Sequence, residues 1–312
     1  KTVYPSIGAV VSKFKGYDAG YEGLIPPYIV LTRPQGRFSE AGFLGSKFKP
    51  FATGGDPKAA RFLVEGVVAP GISDQRQKDR RNLLGNLNSL AHAMQGDPRL
   101  DDMKKCEEAA YDLILGDAGK VFDLSTEKQE LRDEYGMSTF GQSCLMARRL
   151  VEKGVRYITI NYGGWDTHKA HFPAMRRKLP ELDKGMATLI RDLSDHGLLD
   201  STIVWCTGEF GRTPKVQWEP PWNGGRSHFG RCFSQLVAGG GFQGGQVVGA
   251  SDGKADQVAD RPVYPWDMMG SMYELLGIDP DATVRHPQGS LVRITPNADD
   301  GVESGGRLKE IM

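Results

Sequence analysis

The chain has 312 residues, of which 39% are hydrophobic and 25% are charged, the composition of an ordinary globular protein rather than a disordered one. Lys and Arg together number 39, as do Asp and Glu, and the resulting net charge of zero argues against an electrostatic binder of nucleic acid or membrane surfaces. No apolar run reaches the length of a membrane span, and no signal peptide is recognisable. The 4 cysteines form no C-x-x-C motif, which excludes zinc-finger and thioredoxin-like interpretations and leaves disulfides open.

Residues 1–75 are predicted to form an irregular N-terminal wrap, because Gly, Pro and aromatic residues dominate them. Two regular pieces are expected within the wrap: a short helix over residues 7–14 and an extended segment over residues 25–31. Residues 76–136 are predicted to form a helical insertion, since leucines recur there at helical spacing after a Ser-Asp capping pair.

Residues 137–296 alternate between helical and strand patterns. Helices are expected at residues 141–154, 175–196 and 267–276, and strands at residues 155–160, 201–207, 234–238 and 246–249. This alternation predicts an α/β fold with a mostly parallel sheet sandwiched by helices. We therefore expect one α/β domain over residues 1–312, with its core in residues 137–296.

Polar side chains suited to metal and anion binding are concentrated in three loops of this core. The first loop follows the strand YITI and holds Asp166, His168 and His171, the second holds Glu209 and Arg212, and the third holds Arg226 and His228. The first two loops leave the carboxyl ends of successive strands, so in a parallel sheet they lie at the same edge. Carboxylates and imidazoles there make a site suited to zinc, manganese or iron, and guanidinium groups suit a phosphate or sulfate oxyanion.

Each of these residues also has a purely structural alternative. Glu209 can cap its turn or pair with Arg212, and Arg212 can instead tie the loops together. His228 can be a half-buried histidine bonded to the main chain. The joint occurrence of three such loops favours a ligand or metal site over these separate alternatives.

The sequence resembles the sulfatase-like domain of unknown function 1501 family. The resemblance is carried by FGQSCLMARRLVEKGVRYITINYGGWDTH, LDKGMATLIRDLSDHGLLDSTIVWCTGEFGRTPKV, GRSHFG and QLVAGGGFQGGQVVGASD, in order from about Val121 to Pro280, and the earlier segments AGFLGSKFKPF and RRNLLGNLNSL also fit. That family resembles the alkaline phosphatase and sulfatase superfamily, and its members are commonly exported bacterial proteins. The resemblance implies an alkaline-phosphatase-like fold and an exported (periplasmic or extracellular) location.

The superfamily resemblance also implies roles for individual residues. Asp166 and His168 match an Asp/His pair on one metal, and Glu209 stands in place of the superfamily's aspartate. A divalent metal ion such as zinc, manganese or calcium is therefore expected, and Arg212 and Arg226 are expected to be catalytic. The expected metal ligands are Asp166, His168, Glu209 and His228.

Two departures from the superfamily pattern modify this expectation. Phe210 stands where the superfamily has a ligand histidine, which favours a single metal ion over an intact two-metal centre. No strand–turn–helix that carries the superfamily's first Asp and its nucleophile is recognised before Val155. The chain is accordingly expected to lack that part of the family domain or to bind metal differently.

Two functions follow as hypotheses. The first is a metal-dependent hydrolase of phosphate or sulfate esters, or a degenerate relative, that acts on a small-molecule or polysaccharide ester. The second is a non-catalytic binding or assembly protein on an inherited hydrolase fold. Under this second hypothesis, the chain could form a homo-oligomer through the N-terminal wrap. Neither hypothesis involves a nucleic-acid partner or a membrane span.

Overall fold

The computed structural model describes residues 2–59, 62, 64, 74–87 and 118–312. The helices in these residues are α1 (Ile7–Val11), α2 (Asp74–Leu87), α3 (Ala118–Val121), α4 (Gln129–Tyr135), α5 (Thr139–Glu152), α6 (His171–Asp195) and α7 (Pro265–Leu275). The strands are β1 (Tyr28–Leu31), β2 (Phe51–Ala52), β3 (Tyr157–Ile160), β4 (Val204–Cys206), β5 (Gly211–Arg212), β6 (His228–Phe229), β7 (Leu236–Ala238), β8 (Ala250–Ser251), β9 (Val258–Asp260), β10 (Thr283–Arg285) and β11 (Leu291–Arg293). The fold is therefore mixed α/β.

A three-stranded parallel sheet in the order β2–β1–β3 lies in the core of the described chain. All four residues of β1 are buried, and its Tyr-Ile-Val-Leu sequence has the β-branched and aromatic side chains that suit a strand covered on both faces. The strand pairs with β3 in register from Tyr28–Tyr157 to Leu31–Ile160. The extended segment predicted over residues 25–31 is thus confirmed, and it is the central strand of the sheet.

Helix α5 packs its apolar side chains against this sheet. The Ser138 side chain caps the helix by accepting the Gly141 N–H at 3.0 Å. The helix ends before Gly154, whose φ of 78° lies in the left-handed region that glycine adopts without strain. Strand β3 begins three residues later. Buried Leu145 and Leu150 of the helix share one apolar cluster with β1. The helix predicted over residues 141–154 is therefore confirmed, with a start two residues earlier.

A buried network of charged side chains ties α4, α5 and α6 together. The Arg148 guanidinium lies 3.0 Å from carboxylate oxygens of Glu127, Glu152 and Asp192. The Tyr135 hydroxyl donates to the same Asp192 carboxylate at 2.7 Å. Burial acts against the charged form of Arg148, but the three carboxylates raise its pKa above the ordinary value. Every member has a partner, so the network joins the helices without leaving an unpaired buried charge.

Several sequence predictions are corrected outside the three-stranded sheet. Strand β4 pairs with β7 in antiparallel fashion, so parallel pairing among the described strands is confined to β2–β1–β3. The edge strand predicted at residues 246–249 is wrong, since the next strand is β8, paired antiparallel with β9. Helix α6 begins at His171, four residues before the predicted start. Strands with only two or three residues carry little periodicity, which is why their pairing was not predictable.

Two further expectations concern other parts of the chain. Of the helical insertion predicted for residues 76–136, residues 88–117 lie outside the described residues, and the described remainder contains α2, α3 and α4. Among the described helices, none combines the length and the apolar composition that a membrane crossing requires.

Candidate functional site

The first part of the site is the segment that leaves β3. Asn161, the residue after the strand, donates its side-chain amide to the Arg33 carbonyl at 2.5 Å and fastens this segment to the chain that leaves β1. Lys178 of α6 donates to the Gly163 carbonyl at 2.7 Å, and its ammonium lies 4.4 Å from the centre of the Tyr162 ring. The segment is thus bonded to both the sheet and α6 before it reaches the acidic residue of the site.

Thr167 fixes the direction of the residues on either side of it. Its buried hydroxyl lies 2.6 Å from Nδ1 of His171, and its carbonyl accepts the Arg226 main-chain N–H at 3.1 Å. Since Thr167 is held inward, the neighbouring Asp166 and His168 side chains remain accessible, with 64% and 40% of their surface exposed. The sequence Asp-Thr-His therefore presents two metal-ligand side chains to solvent on a fixed backbone.

The second part of the site is the antiparallel hairpin β5–β6, in which Arg212 pairs with His228. The Thr213 N–H donates to the Ser227 carbonyl at 2.9 Å, and the Thr213 hydroxyl accepts the Ser227 N–H at 3.1 Å. These bonds continue the ladder beyond the strands and fix its register. Arg212 and His228, which were predicted in separate loops, are therefore cross-strand neighbours in one hairpin.

Main-chain contacts join the hairpin to the segment after β3. The His171 N–H donates to the Gly224 carbonyl at 3.1 Å. At Gly225 the backbone is so close to the His168 carbonyl that a Cβ would overlap it, so only glycine permits this approach. The sequence prediction that the two regions meet is correct, but the hairpin and these contacts bring them together rather than parallel pairing of β3 with β4.

Three ligand atoms converge where the two parts meet. Oδ1 of Asp166 lies 2.9 Å from Nε2 of His228 and 3.1 Å from Nε2 of His168. The two Nε2 atoms lie 3.2 Å apart. A carboxylate and two imidazoles therefore form one compact triangle at the protein surface, and we name these three residues the Asp–His–His cluster.

Arg212 stabilises the charged form of the Asp166 carboxylate. Its guanidinium donates to Oδ1 of Asp166 and also, at 3.2 Å, to the Arg226 carbonyl. The Arg212 hydrogen bond, followed by that of His228, lowers the pKa of Asp166 to about 2. Asp166 is therefore ionised at physiological pH, as a metal ligand must be. The centre of the Phe210 ring lies 4.5 Å from that of the His228 ring, and this contact restricts the orientation of the imidazole.

The spacing of the three ligand atoms fits a small divalent cation. Tetrahedral zinc with bonds of about 2.0–2.1 Å to nitrogen and oxygen separates its ligand atoms by roughly 3.3 Å. The observed separations of 2.9, 3.1 and 3.2 Å are close to the edges of one face of such a tetrahedron. Two imidazoles and one carboxylate are also a donor set of catalytic metal sites, which keep a position open for water or substrate.

Two of the predicted site residues have other surroundings. Glu209 is exposed and lies outside the cluster, whereas the next residue, Phe210, packs on His228. The Arg226 side chain donates Nε to the Thr213 carbonyl at 2.6 Å and so braces the hairpin. The structure thus brings together three of the four predicted ligands and one of the two predicted catalytic arginines.

His171, which the sequence placed in the first loop, lies behind the cluster as the first residue of α6. Burial, followed by the charges of Arg226 and Arg212, lowers its pKa, and its Nδ1 shares a hydrogen bond of 2.6 Å with the Thr167 hydroxyl. Sequence reasoning missed this supporting role and that of Lys178, since nothing in the spacing distinguishes Lys178 from the other basic residues of α6.

The comparisons with known proteins identify the family of the chain. The family model described as "Protein of unknown function (DUF1501)" matches residues 1–304, and the chain therefore belongs to this family. The match extends beyond residues 121–280, which contain most of the motifs that carry the resemblance. No curated protein and no solved structure matches the chain.

Proposed function

We propose that this member of the DUF1501 family is a metal-dependent hydrolase of phosphate or sulfate esters, or a degenerate relative of one. The observation that carries the proposal is the Asp–His–His cluster with Arg212 at its side. The sequence resemblance to the alkaline phosphatase and sulfatase superfamily supports it, and with it an alkaline-phosphatase-like arrangement of the α/β fold. The position of Asp166 and His168 just after a strand of a parallel sheet agrees with where α/β enzymes place their sites.

The residues of the site divide into two roles. Asp166, His168 and His228 would hold the ion through one oxygen and two nitrogens, which suits zinc or manganese better than calcium. When bound, such an ion supplies a Lewis acid that polarises the ester and stabilises its leaving oxygen. Arg212 supplies a planar cation next to the ligand carboxylate, where it can donate hydrogen bonds to a phosphate or sulfate oxygen.

Metal binding and turnover test the proposal together. The purified protein is stripped with a chelator, reloaded with zinc or manganese, and assayed for metal content and for hydrolysis of p-nitrophenyl phosphate and p-nitrophenyl sulfate. We expect about one ion per chain, and about a thousandfold loss of turnover in Asp166→Ala and His228→Ala, since several kcal/mol of charge stabilisation disappear. Glu209→Gln is the matched control, because this acidic residue lies outside the cluster. Absence of bound metal in the wild type would contradict the proposal.

A second candidate function is a non-catalytic binding or assembly protein on the same fold. It is favoured by Phe210, an apolar ring packed on His228 at the position where the superfamily has a ligand histidine. It predicts that the protein binds metal, or vanadate in the presence of metal, without turning over any ester of a broad panel. Measured turnover that depends on Asp166 would exclude this second function.

We also propose that the protein is exported, which only the family resemblance supports. Cys144, Cys206 and Cys232, the cysteines that the structure describes, are free, so the described part of the chain carries no disulfide that would support it further. Fractionation of cells that express the whole natural gene tests this point, and recovery of the protein in the cytoplasm would contradict it.

A further inference from the structure

Two exposed aromatic rings stack on each other beside the candidate site. The Phe172 and Trp218 rings are nearly parallel, with an interplanar angle of 7° and centroids 5.6 Å apart. Phe172 is 37% exposed and Trp218 is 66% exposed, so the indole presents most of its surface to solvent. Large aromatic side chains usually lose most of their exposed area on folding, and an ordered, exposed pair is typical of a binding surface. We name these two residues the aromatic platform.

The aromatic platform is built from the two segments that carry the Asp–His–His cluster. Phe172 is the second residue of α6, and Trp218 lies in the loop between β5 and β6. Gly224, with φ of 82°, is packed against both rings, since a Cβ there would lie 3.0 Å from Trp218 and 3.5 Å from Phe172. The next residue, Gly225, contacts the His168 main chain. One peptide unit therefore separates the contact with the aromatic platform from the contact with the cluster.

The surroundings of the indole indicate what kind of ring stacks on it. Glu219 and Asn223, which follow Trp218 along the same loop, are exposed and provide a carboxylate and an amide that can bond to hydroxyl groups. The exposed carboxylate of Glu219, the residue after Trp218, and the zero net charge of the chain disfavour a polyanionic nucleic acid. A pyranose ring has an apolar C–H face for the indole and a hydroxyl edge for these polar side chains. Its ring atoms need no deep pocket, unlike a drug-sized aromatic ligand.

We propose that the aromatic platform is a saccharide-binding subsite, with Trp218 as the surface on which a pyranose ring stacks. As a statement about substrate the inference rests on the proposed function, because it makes the ester acted on at the neighbouring cluster a saccharide ester. As a statement about binding it is independent of metal and of turnover. Phe172 supports the indole from its covered face and contributes less contact with the saccharide.

Binding of neutral saccharides separates the two proposals. Cellohexaose, mannohexaose, chitohexaose and agarohexaose are titrated into the wild type by calorimetry and by tryptophan fluorescence, with excess chelator present throughout. We expect at least one of them to bind, with about a tenfold or greater loss of affinity in Trp218→Ala and a smaller loss in Phe172→Ala. Failure of the metal-dependent hydrolase would leave this result unchanged, since neither metal nor an ester is present.

A matched control comes from another stacked pair that contains a tryptophan. Tyr264 and Trp266 have the same interplanar angle of 7°, but the Trp266 ring N–H is bonded to the Glu303 carbonyl at 2.8 Å and the pair lies on α7 and the residue before it. Trp266→Ala should therefore leave saccharide affinity unchanged. The inference is overturned if no hexasaccharide binds, if Trp218→Ala binds as tightly as the wild type, or if AMP or an aromatic peptide, and no saccharide, binds in a Trp218-dependent way. Trp218→Phe, which keeps a ring, should retain part of the affinity.

Discussion

Two arginines of this protein, Arg148 and Arg212, are each held by carboxylates, and their surroundings differ in one respect that matters. Arg148 is buried between helices, and three carboxylates surround it at 3.0 Å. Arg212 reaches Asp166 at the surface, where two imidazoles share the same carboxylate oxygen. In the first arrangement every charge is paired within the protein. In the second, the carboxylate and imidazoles face solvent and can still bind a ligand.

This difference separates a structural ion pair from a candidate active site. A buried network must be complete, because an unpaired charge in the interior is strongly destabilising. An exposed cluster can stay incomplete, because water satisfies the remaining positions until a ligand replaces it. The residue types alone do not identify a site, since Arg and Asp occur in both places. Exposure and the number of groups that share one oxygen are what distinguish the cluster.

The largest change in stability is expected for the buried network around Arg148. Arg148→Met should lower the free energy of unfolding by about 3–5 kcal/mol, because it leaves three carboxylates without their shared cation. Urea denaturation at pH 7 measures the change. The control is Arg191→Met, which removes the cation of the exposed pair with Glu134 and should cost only about 0–1 kcal/mol. Equal losses in the two variants would show that burial does not set the strength of these pairs.

A smaller effect is expected from Lys178, which supports the exposed cluster from outside. Lys178→Met keeps the aliphatic stem but removes the bond to the Gly163 carbonyl and the ammonium above Tyr162. Zinc affinity should fall about tenfold, as for the loss of other groups that orient metal ligands. Competition with a chromophoric chelator measures it, and Lys184→Met, an exposed lysine on the same helix, should bind zinc as the wild type does. A Lys178 variant with unchanged zinc affinity would show that the segment needs no such support.

The smallest effect concerns the pH dependence of the buried network. Burial acts to raise the pKa of Glu127, but the hydrogen bond and charges of Arg149 and Arg148 lower it below its usual value of 4.5. A carboxyl group whose pKa is lowered on folding contributes stability above its unfolded pKa and loses it as the pH falls further. Glu127→Gln should therefore be less stable than the wild type by about 1 kcal/mol at pH 7.

This difference between Glu127→Gln and the wild type should shrink progressively below pH 4.5. Urea denaturation at pH 7, 5, 4 and 3 follows it. Glu130→Gln, at an exposed position in the first turn of α4, should show no such trend. A stability difference that stays constant from pH 7 to pH 3 would mean that Glu127 is not held in its charged form by the arginines.

The local structure of this protein was predictable from short sequence patterns. The capped helix α5, the strand β3 that follows Gly154, and the concentration of Asp166, His168, Arg212 and His228 near strand ends were all predictable, because caps, glycine turns and apolar periodicity act within a few residues. The strand β1 was recognised only as an extended segment, since four residues after two prolines carry no information about a partner 129 positions further along the chain.

Which polar residues meet depends on contacts between segments that are distant in the chain. It placed Arg212 opposite His228 in a hairpin, left Glu209 outside the cluster, and directed the Arg226 side chain to a main-chain carbonyl. It also stacked Phe172 on Trp218, 46 residues apart in the chain. These outcomes depend on hydrogen bonds and close glycine contacts between distant segments, and no local pattern encodes such contacts because each depends on the position of both partners.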